Sequence, residues 1–485
     1  MSPEQLLLLV ILLPLGAAVL VLLTSAWPNL RETMSLLVGG AVFLSAVELS
    51  PHVFGGNIPR VVFAEPIEGI QIALSVEPLG MLFALLASFL WVVTTIYAIG
   101  YMRGHGESNQ TRFYVFFSIA IFSTLGVAFS DNLLTLFIFY EMLSLSTYPL
   151  VTHSGTEAAK KGGRVYLGIL IGTSMGFFLL AILGTYLLAG TGQFTSGGVF
   201  LDDTSPFLLG LLLCLFVFGV GKAAIMPFHR WLPAAMVAPT PVSALLHAVA
   251  VVKAGVFSIL KIVIYIFGFE SLADLPITQW LTWLAAFTIL SASIVAMRQD
   301  NLKKRLAYST VSQLSYIILG ALLANEAGII GGTMHMTMHA FGKITLFFCA
   351  GAILVAAHKT EVSELDGLGR AMPITMGAFF LAAISIAGLP PMGGVWSKWY
   401  LVLGTVQNEA YLLLAVLLVS TLLNIYYLLA IPVRAFFKPA NDDVIYKEAP
   451  LPILIAIGIT VTISFLLFIF PESLFNVSTA LVNIS

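Results

Sequence analysis

The chain has 485 residues, of which 59% are hydrophobic and 9% charged, with a mean hydropathy of +1.00. A soluble domain carries about 25% charged residues, so this composition excludes one; apolar runs long enough to cross a bilayer recur from end to end. The net charge of −2 leaves no basic footprint for nucleic acid, and the two cysteines, Cys214 and Cys349, form no CxxC pair, which excludes cysteine-ligated iron–sulfur clusters and gives no reason to expect a disulfide framework.

The N-terminus, MSPEQ, enters its first apolar run past an acid rather than a lysine. A signal peptide needs a basic start and a small-residue cleavage site, so this run is expected to stay as the first helix. Proline, glycine and charge then divide the sequence into about fourteen spans: 5–23, 32–50, 76–100, 112–129, 131–152, 164–189, 206–228, 239–267, 279–298, 305–323, 327–356, 370–404, 410–434 and 451–471. The expected fold is an all-α polytopic membrane protein.

Sixteen of the 22 basic residues fall in or beside the connections that follow odd-numbered spans, from Arg31 to Lys447. The opposite connections hold Arg60 together with acids such as Glu65, Glu68 and Asp274. Basic residues stay in the cytoplasm, so both termini are expected outside the cell membrane (the inner one, where there are two). Lys222, Lys253, Lys261, Lys343 and Lys398 remain inside spans. Lys261 is nearer the outer end and can snorkel there. The other four, unpaired, would cost roughly 10–14 kcal/mol together, which marks them as functional.

Two spans read as interrupted. The seventh has Gly219, Gly221 and Pro227 around Lys222; the twelfth has Gly388-Leu-Pro390-Pro391-Met-Gly-Gly394 just before Lys398. Proline removes a backbone donor and clashes with the preceding turn, so breaks are expected at Pro227 and at Pro390–Pro391. Unwound backbone at membrane depth is tolerated beside protein or a water-filled cavity, and a broken helix in each half is a transporter pattern. Spans 4–8 and 9–13 make two units of five, and an odd number inverts the second copy. The expected division is 1–111, 112–267 and 279–434, with a last helix in 435–485.

Glu141, in FIFYEMLSLSTYPLV, is the one acid placed deep in a span; Glu48 and Glu77 sit near helix ends, where an interfacial carboxylate is the ordinary reading. Glu141 and Lys222 form the candidate buried ion pair. Such pairs stabilise less than apolar packing does, which favours a switch over a static bridge. His335, His339 and Lys343 follow at i, i+4 and i+8 along one face of span 11. Two histidines suit a metal or a haem iron, but a lysine one turn on repels a cation and no acids accompany them, so a hydrated proton path is the favoured reading and no metal is assigned. His247 is 600° round the helix from Lys253 and faces away from it. His52, His105, His153, His229 and His358 lie at edges or loops.

These residues resemble the proton-translocating antiporter-like membrane subunits shared by respiratory complex I, membrane-bound hydrogenases and Mrp-type cation/proton antiporters. The resemblance spans nearly the whole chain. It is carried by FYEMLSLSTYPLV, PFHRWLPAAMVAPTPVSALLHAVAVVKAG, HAFGKITLFFCAG and GLPPMGGVWSKWYL, and the second of these is the most specific. Carried over residue by residue, Glu141 and Lys222 resemble the family's coupling pair, Lys253 and His339 its central relay, and Lys398 its terminal proton site, while Lys343 falls on a lysine found in several members. A lysine at 398 rather than a glutamate disfavours the complex I M type, and a chain that stops near Pro471 disfavours the L and Mrp A types. The wording WLPAAMVAPTPVSALLHA is closest to the D subunit of an Mrp-type sodium/proton antiporter. Two departures are Ala235-Met236, where the family usually carries a histidine, and Lys261, where many members have arginine.

The resemblance implies a proton-conducting subunit of a multisubunit cation/proton antiporter, with other membrane subunits, protons and monovalent cations as partners and no cofactor of its own. The alternative is an antiporter-like subunit of a redox complex, of the complex I N type or a membrane-bound hydrogenase. A haem-bearing electron carrier is the reading from another class, and a purified chain without a Soret band would end it.

Overall fold

A computed structural model describes residues 1–201, 203–440 and 447–483. The spans run in order as α1 (Pro3–Leu23), α2 (Pro28–Phe54), α3 (Pro78–Gly104), α4 (Gln110–Ala128), α5 (Leu133–Val151), α6 (Glu157–Ala189), α7 (Pro206–Gly219), α8 (Thr240–Phe267), α9 (Pro276–Arg298), α10 (Leu302–Leu322), α11 (Glu326–Ala357), α12, α13 (Tyr411–Phe437) and α14 (Leu451–Ile469). The twelfth is split into α12a (Pro373–Ala387) and α12b (Gly394–Gln407). Eleven of these helices are each long and apolar enough to cross a membrane. The other three spans are α10, whose first turn carries Lys303, Lys304 and Arg305, and the two broken ones. A short amphipathic helix, α15 (Glu472–Asn483), follows α14 and packs on α11 and α3.

The all-α expectation needs one addition. Strands β1 (Arg60–Ile67) and β2 (Ile70–Ser75) pair antiparallel between α2 and α3. β-Branched and aromatic residues (Val61, Val62, Phe63, then Ile70 and Ile72) flank a Glu68–Gly69 turn, and Gly69 supplies the positive φ of +79° that such a turn requires. The hairpin is tied to the α4–α5 turn: Arg60 donates to both carboxylate oxygens of Asp131 at 3.0 and 2.9 Å, and Asn132 Nδ2 donates to Gln71 O at 2.8 Å.

α8 is buried along its whole length and α11 over most of it, so these two helices form the middle of the molecule. Both are surrounded by protein rather than lipid, and each turns basic side chains into that interior: Lys253 and Lys261 on α8, His335, His339 and Lys343 on α11. π-Helical turns at Leu245–Val249 and Val263–Phe267 bracket Lys253 in α8, and another lies at Ser174–Phe178 within α6. Such turns are frequent at functional sites because they leave the regular backbone ladder locally unpaired.

The broken helix is the fourth of five in each unit, α4–α8 and α9–α13. Five crossings start and finish on opposite sides, so the second unit runs inverted relative to the first. In α12 the break falls where the prolines placed it: Gly388 takes φ +79° and the helix resumes at Gly394. In α7 it falls earlier than Pro227. The helix already ends at Gly219, because Gly219 and Gly221 lie against Phe178 and Thr173 of α6 so closely that a Cβ at either would collide. Val220–Arg230 then run irregularly, with Pro227 inside that stretch as one of its parts rather than its cause.

Candidate functional site

Lys222 sits in the single 3-10 turn Gly221–Ala223 that follows α7 and is fully buried. Its ammonium donates to Tyr140 O at 2.8 Å and Ser144 Oγ at 2.6 Å and lies 3.2 Å from the centroid of the Tyr140 ring. Its backbone N–H donates to the Tyr140 hydroxyl at 3.0 Å. The expected contact pair with Glu141 is therefore not closed. Both carboxylate oxygens of Glu141 are buried without a hydrogen-bond partner among the described residues. Consecutive residues on a helix do not face the same way, and it is Tyr140 whose carbonyl and ring α5 presents to Lys222.

Lys253 and His339 do come together. The lysine Nζ lies 2.7 Å from His339 Nδ1, from α8 to α11, with both groups buried. His339 stacks on His335 one turn away, centroids 5.8 Å apart. His335 Nδ1 lies 2.9 Å from Ser397 Oγ on α12b, and its ring stacks on Tyr316 of α10 at 5.7 Å. The same tyrosine ring lies under Lys398, whose Nζ is 4.8 Å from the centroid. Lys398 donates to Ala387 O, the last carbonyl of α12a, at 3.1 Å and to Thr421 Oγ1 at 3.4 Å. A continuous buried line thus runs Lys253–His339–His335–Tyr316–Lys398.

The imidazole protons follow from the charge on Lys253 and the turn of the Ser397 hydroxyl. With Lys253 charged, its ammonium only donates, so His339 Nδ1 accepts and its proton is on Nε2. With the Ser397 hydroxyl turned to Gly394 O (3.1 Å), its oxygen accepts from His335 Nδ1–H and His335 Nε2 is left as a bare acceptor. Neither Nε2 has a protein partner among the described residues. One histidine carries a donor and its neighbour an acceptor.

Lys343, one turn beyond His339, leads elsewhere. Its Nζ donates to Ser309 Oγ at 2.7 Å, and Ser309 also receives the Tyr427 hydroxyl at 2.9 Å, which bonds Asn424 as well. His247 lies in the π-helical turn and packs against Phe347 of α11, ring centroids 4.5 Å apart, with both ring nitrogens unpartnered. On the side of the basic connections, a cavity of about 250 Å³ is lined by Tyr101, Glu107, Pro239, Lys303 and Thr360, among others. Between it and His247 lie two more unpartnered buried hydroxyls, Tyr97 Oη and Thr240 Oγ1.

Sequence reasoning missed Tyr140, Tyr316, Ser397 and the Ser309–Tyr427–Asn424 cluster, none of which carries a charge to draw attention. It also misread two residues that do. Lys261 does not snorkel: it is fully buried, 2.7 Å from Glu77, which is therefore no ordinary interfacial acid. The signal was there, since a lysine within a span needs a partner and Glu77 is an acid at that end of the molecule.

This fold and this buried file of lysines and histidines define a class of polytopic, ion-handling membrane protein. A family model, NADH:quinone oxidoreductase/Mrp antiporter transmembrane, matches residues 130–424. The N subunit of the NADH-quinone oxidoreductase of Desulforudis audaxviator is 35% identical over 386 residues, covering 79% of this chain and 76% of that protein. The A subunit of the Na(+)/H(+) antiporter of Alkalihalophilus pseudofirmus is 32% identical over 445 residues, 83% of this chain but only 53% of that longer protein. In fold the chain is similar to one in the Mrp complex from Dietzia sp. DQ12-45-1b (TM-score 0.88, 21% identity, 100% of this chain and 98% of the other). It is also similar to one in an archaeal membrane-bound sulfane sulfur reductase (TM-score 0.86, 23% identity, 99% and 98%). The chain belongs to the NADH:quinone oxidoreductase/Mrp antiporter family of membrane subunits.

Proposed function

We propose that this chain moves protons for a multisubunit monovalent cation (Na+)/H+ antiporter of the Mrp D type, working as one part of a transporter and not itself as an enzyme. The observation that carries this is the unbroken file from Lys253 to Lys398, in which His339 Nε2–H and His335 Nε2 stand as donor and acceptor. A proton given to His339 by Lys253 releases the one on Nε2 toward His335; His335, loaded on Nε2, passes its Nδ1 proton to the Ser397 oxygen while the Ser397 hydroxyl releases its own proton at the α12 break, the side on which Lys398 lies. No metal or cofactor enters any step. The unpartnered atoms of Tyr97, Thr240 and His247 are where water would complete a route from the cytoplasmic cavity, since buried polar groups seek such partners. Lys222 and Glu141 are the coupling end: the acid, buried and unpaired, is poised to draw Lys222 away from Tyr140 or to meet a cation from a neighbouring protein of the complex. Lys343 is a side store whose charge state tunes His339.

The 35% identity to an N subunit favours a second reading, a proton-pumping subunit of a redox complex. The local relay is the same in both. Proton movement in vesicles holding the whole complex separates them. Uptake that needs Na+ and no electron donor supports the antiporter; uptake that needs an electron donor supports the redox complex; no uptake under either condition sinks both.

Orientation is proposed with the basic connections in the cytoplasm and both termini outside. Single cysteines in 153–163 and 299–304 should label from the cytoplasm, and one in 190–201 from outside. Reversed labelling would turn the relay round.

A further inference from the structure

Lys261 and Glu77 take no part in the relay. Lys261 is eight residues beyond Lys253, about 12 Å along α8 toward the side that holds the termini. Its ammonium lies 2.7 Å from Glu77 Oε1, donates to Ser130 O at 2.7 Å, and packs against the rings of Phe194 (4.5 Å) and Phe257 (5.5 Å). Asp131, the next residue after Ser130, carries the second pair with Arg60 of the hairpin. One other ionisable group, the unpartnered Tyr265 hydroxyl, is buried on the same stretch of α8. The hairpin, the start of α3, the α4–α5 turn, the α6–α7 connection and α8 therefore converge on one knot of two charge pairs.

The second unit carries its own pair at the end of its fifth helix, Arg434 with Asp366 at 2.7 Å, but that arginine is partly exposed and the pair does not reach Lys398. Lys398 faces a carbonyl, a hydroxyl and a ring, and no acid. An ammonium has three donors and no acceptor, so while it is held charged by a carboxylate it cannot take up a proton. A fixed positive charge also repels an approaching one.

We propose that the Glu77–Lys261 pair, held under the hairpin by Arg60–Asp131, is a proton lock that closes the first unit toward the outer side. A proton on Lys253 then leaves only by way of His339. The inference rests on the relay reading above.

Vesicles holding the whole complex, given a membrane potential and no cation gradient, report passive proton entry. Lys261→Gln frees Glu77 to exchange protons and is expected to raise that flux about tenfold or more, as lowering the barrier by one buried interaction would. The double variant Glu77→Gln with Lys261→Gln leaves no titratable group in the pair and should be tight again. Lys261→Arg keeps the charge and the pair and should be tight and active. A purely structural pin gives the opposite pattern: reduced amounts of Lys261→Gln and of the double variant, with no leak per assembled complex. Tight vesicles from fully assembled Lys261→Gln overturn the lock. In a Lys253→Ala background the leak of Lys261→Gln should vanish, and a leak that persists there also overturns it. Normal antiport by Lys253→Ala alone would instead overturn the relay reading, which keeps the two failures apart.

Discussion

The two units solve one problem in two ways. Each brings a lysine to the break in its fourth helix and sets the ammonium over a tyrosine ring on its second: Lys222 over Tyr140 at 3.2 Å, and Lys398 over Tyr316 at 4.8 Å. Each lysine is bonded to a backbone carbonyl and a hydroxyl, Tyr140 O and Ser144 in one unit, Ala387 O and Thr421 in the other. The correspondence of α5 with α10 and α7 with α12 is the inverted repeat written in side chains. The difference lies in what surrounds the pattern. Next to Tyr140 stands an acid, Glu141; next to Tyr316 stands Ile317. The first unit thus has a charge that can compete for its lysine, and the second has a histidine stacked on the tyrosine instead. In the proposed function the first of these ends senses charge and the second passes protons on.

The sharpest way to break this comparison is to make each lysine permanently charged. Lys398→Ala and Lys398→Arg should both lower proton transport by at least about a hundredfold, the lower range for a lost proton-transfer group, because arginine stays protonated. Lys222→Arg should lose as much if Lys222 also deprotonates, but should keep a good part of the rate if its charge only moves toward and away from Glu141. Proton uptake in vesicles with the whole complex decides each. Wild-type rates for Lys398→Arg would show that this residue never gives up its proton.

Glu141 offers the next largest effect. Its oxygens have no hydrogen-bond partner among the described residues, so Glu141→Gln removes no bond and should change stability by no more than about 0.5 kcal/mol while abolishing coupled transport. Glu141→Asp keeps the charge and should retain part of the activity. A complex that fails to assemble in all three of Glu141→Gln, Glu141→Asp and Lys222→Ala would identify a structural role instead. The amount of this chain in the membrane and the transport per assembled complex are the two measurements needed.

The tyrosines sharpen the comparison at a smaller scale. Tyr140→Leu and Tyr316→Leu each remove a ring from a buried ammonium, a contribution of about 2 kcal/mol when desolvated. Tyr140→Phe keeps its ring but deprives Lys222 N–H of its acceptor, at about 1–3 kcal/mol. Tyr316→Phe loses a 3.3 Å bond to Leu417 O and hydroxyl contacts with Ser420 and Thr421, but strands no backbone N–H and should be the milder of the two. Thermal unfolding of the complex gives the order; equal costs for the two phenylalanine variants would contradict it.

How much of this was legible in the sequence follows from where the information is local. The fourteen spans, both breaks and the buried lysines are written in hydropathy, proline and charge, which act over one helix. The Lys253–His339 contact was legible only through the family resemblance, which implies both in one relay. The open Glu141–Lys222 pair was not: whether a carboxylate reaches an ammonium depends on how α5 is rotated, and Glu141 and Tyr140 compete for that face. For Glu77–Lys261 the signal, a lysine within a span and an acid at the same end, was outweighed because a residue at a helix end reads as solvated until a hairpin is laid over it. The early end of α7 came from the tight seating of Gly219 and Gly221 on α6, a tertiary fact that outranked the proline.

The smallest effect tests the finest part of the relay. With its one hydroxyl proton turned to Gly394 O, Ser397 can only accept from His335 Nδ1–H. That bond keeps His335 Nε2 bare toward His339, and without it the ring is free to hold its proton on either nitrogen. Ser397→Ala should therefore slow transport by roughly three- to tenfold, the effect of one hydrogen bond of about 0.5–1.5 kcal/mol, with little change in stability. Ser397→Thr keeps the acceptor and should restore most of the rate. The signature that separates tautomer control from packing is spectroscopic: nitrogen chemical shifts of His335 should show Nδ1–H in the wild type and a mixture in Ser397→Ala. A single unchanged tautomer alongside a slowed rate would show that Ser397 acts some other way, and a mixture with an unchanged rate would show that the order of donor and acceptor along α11 does not limit the flow of protons to the second unit.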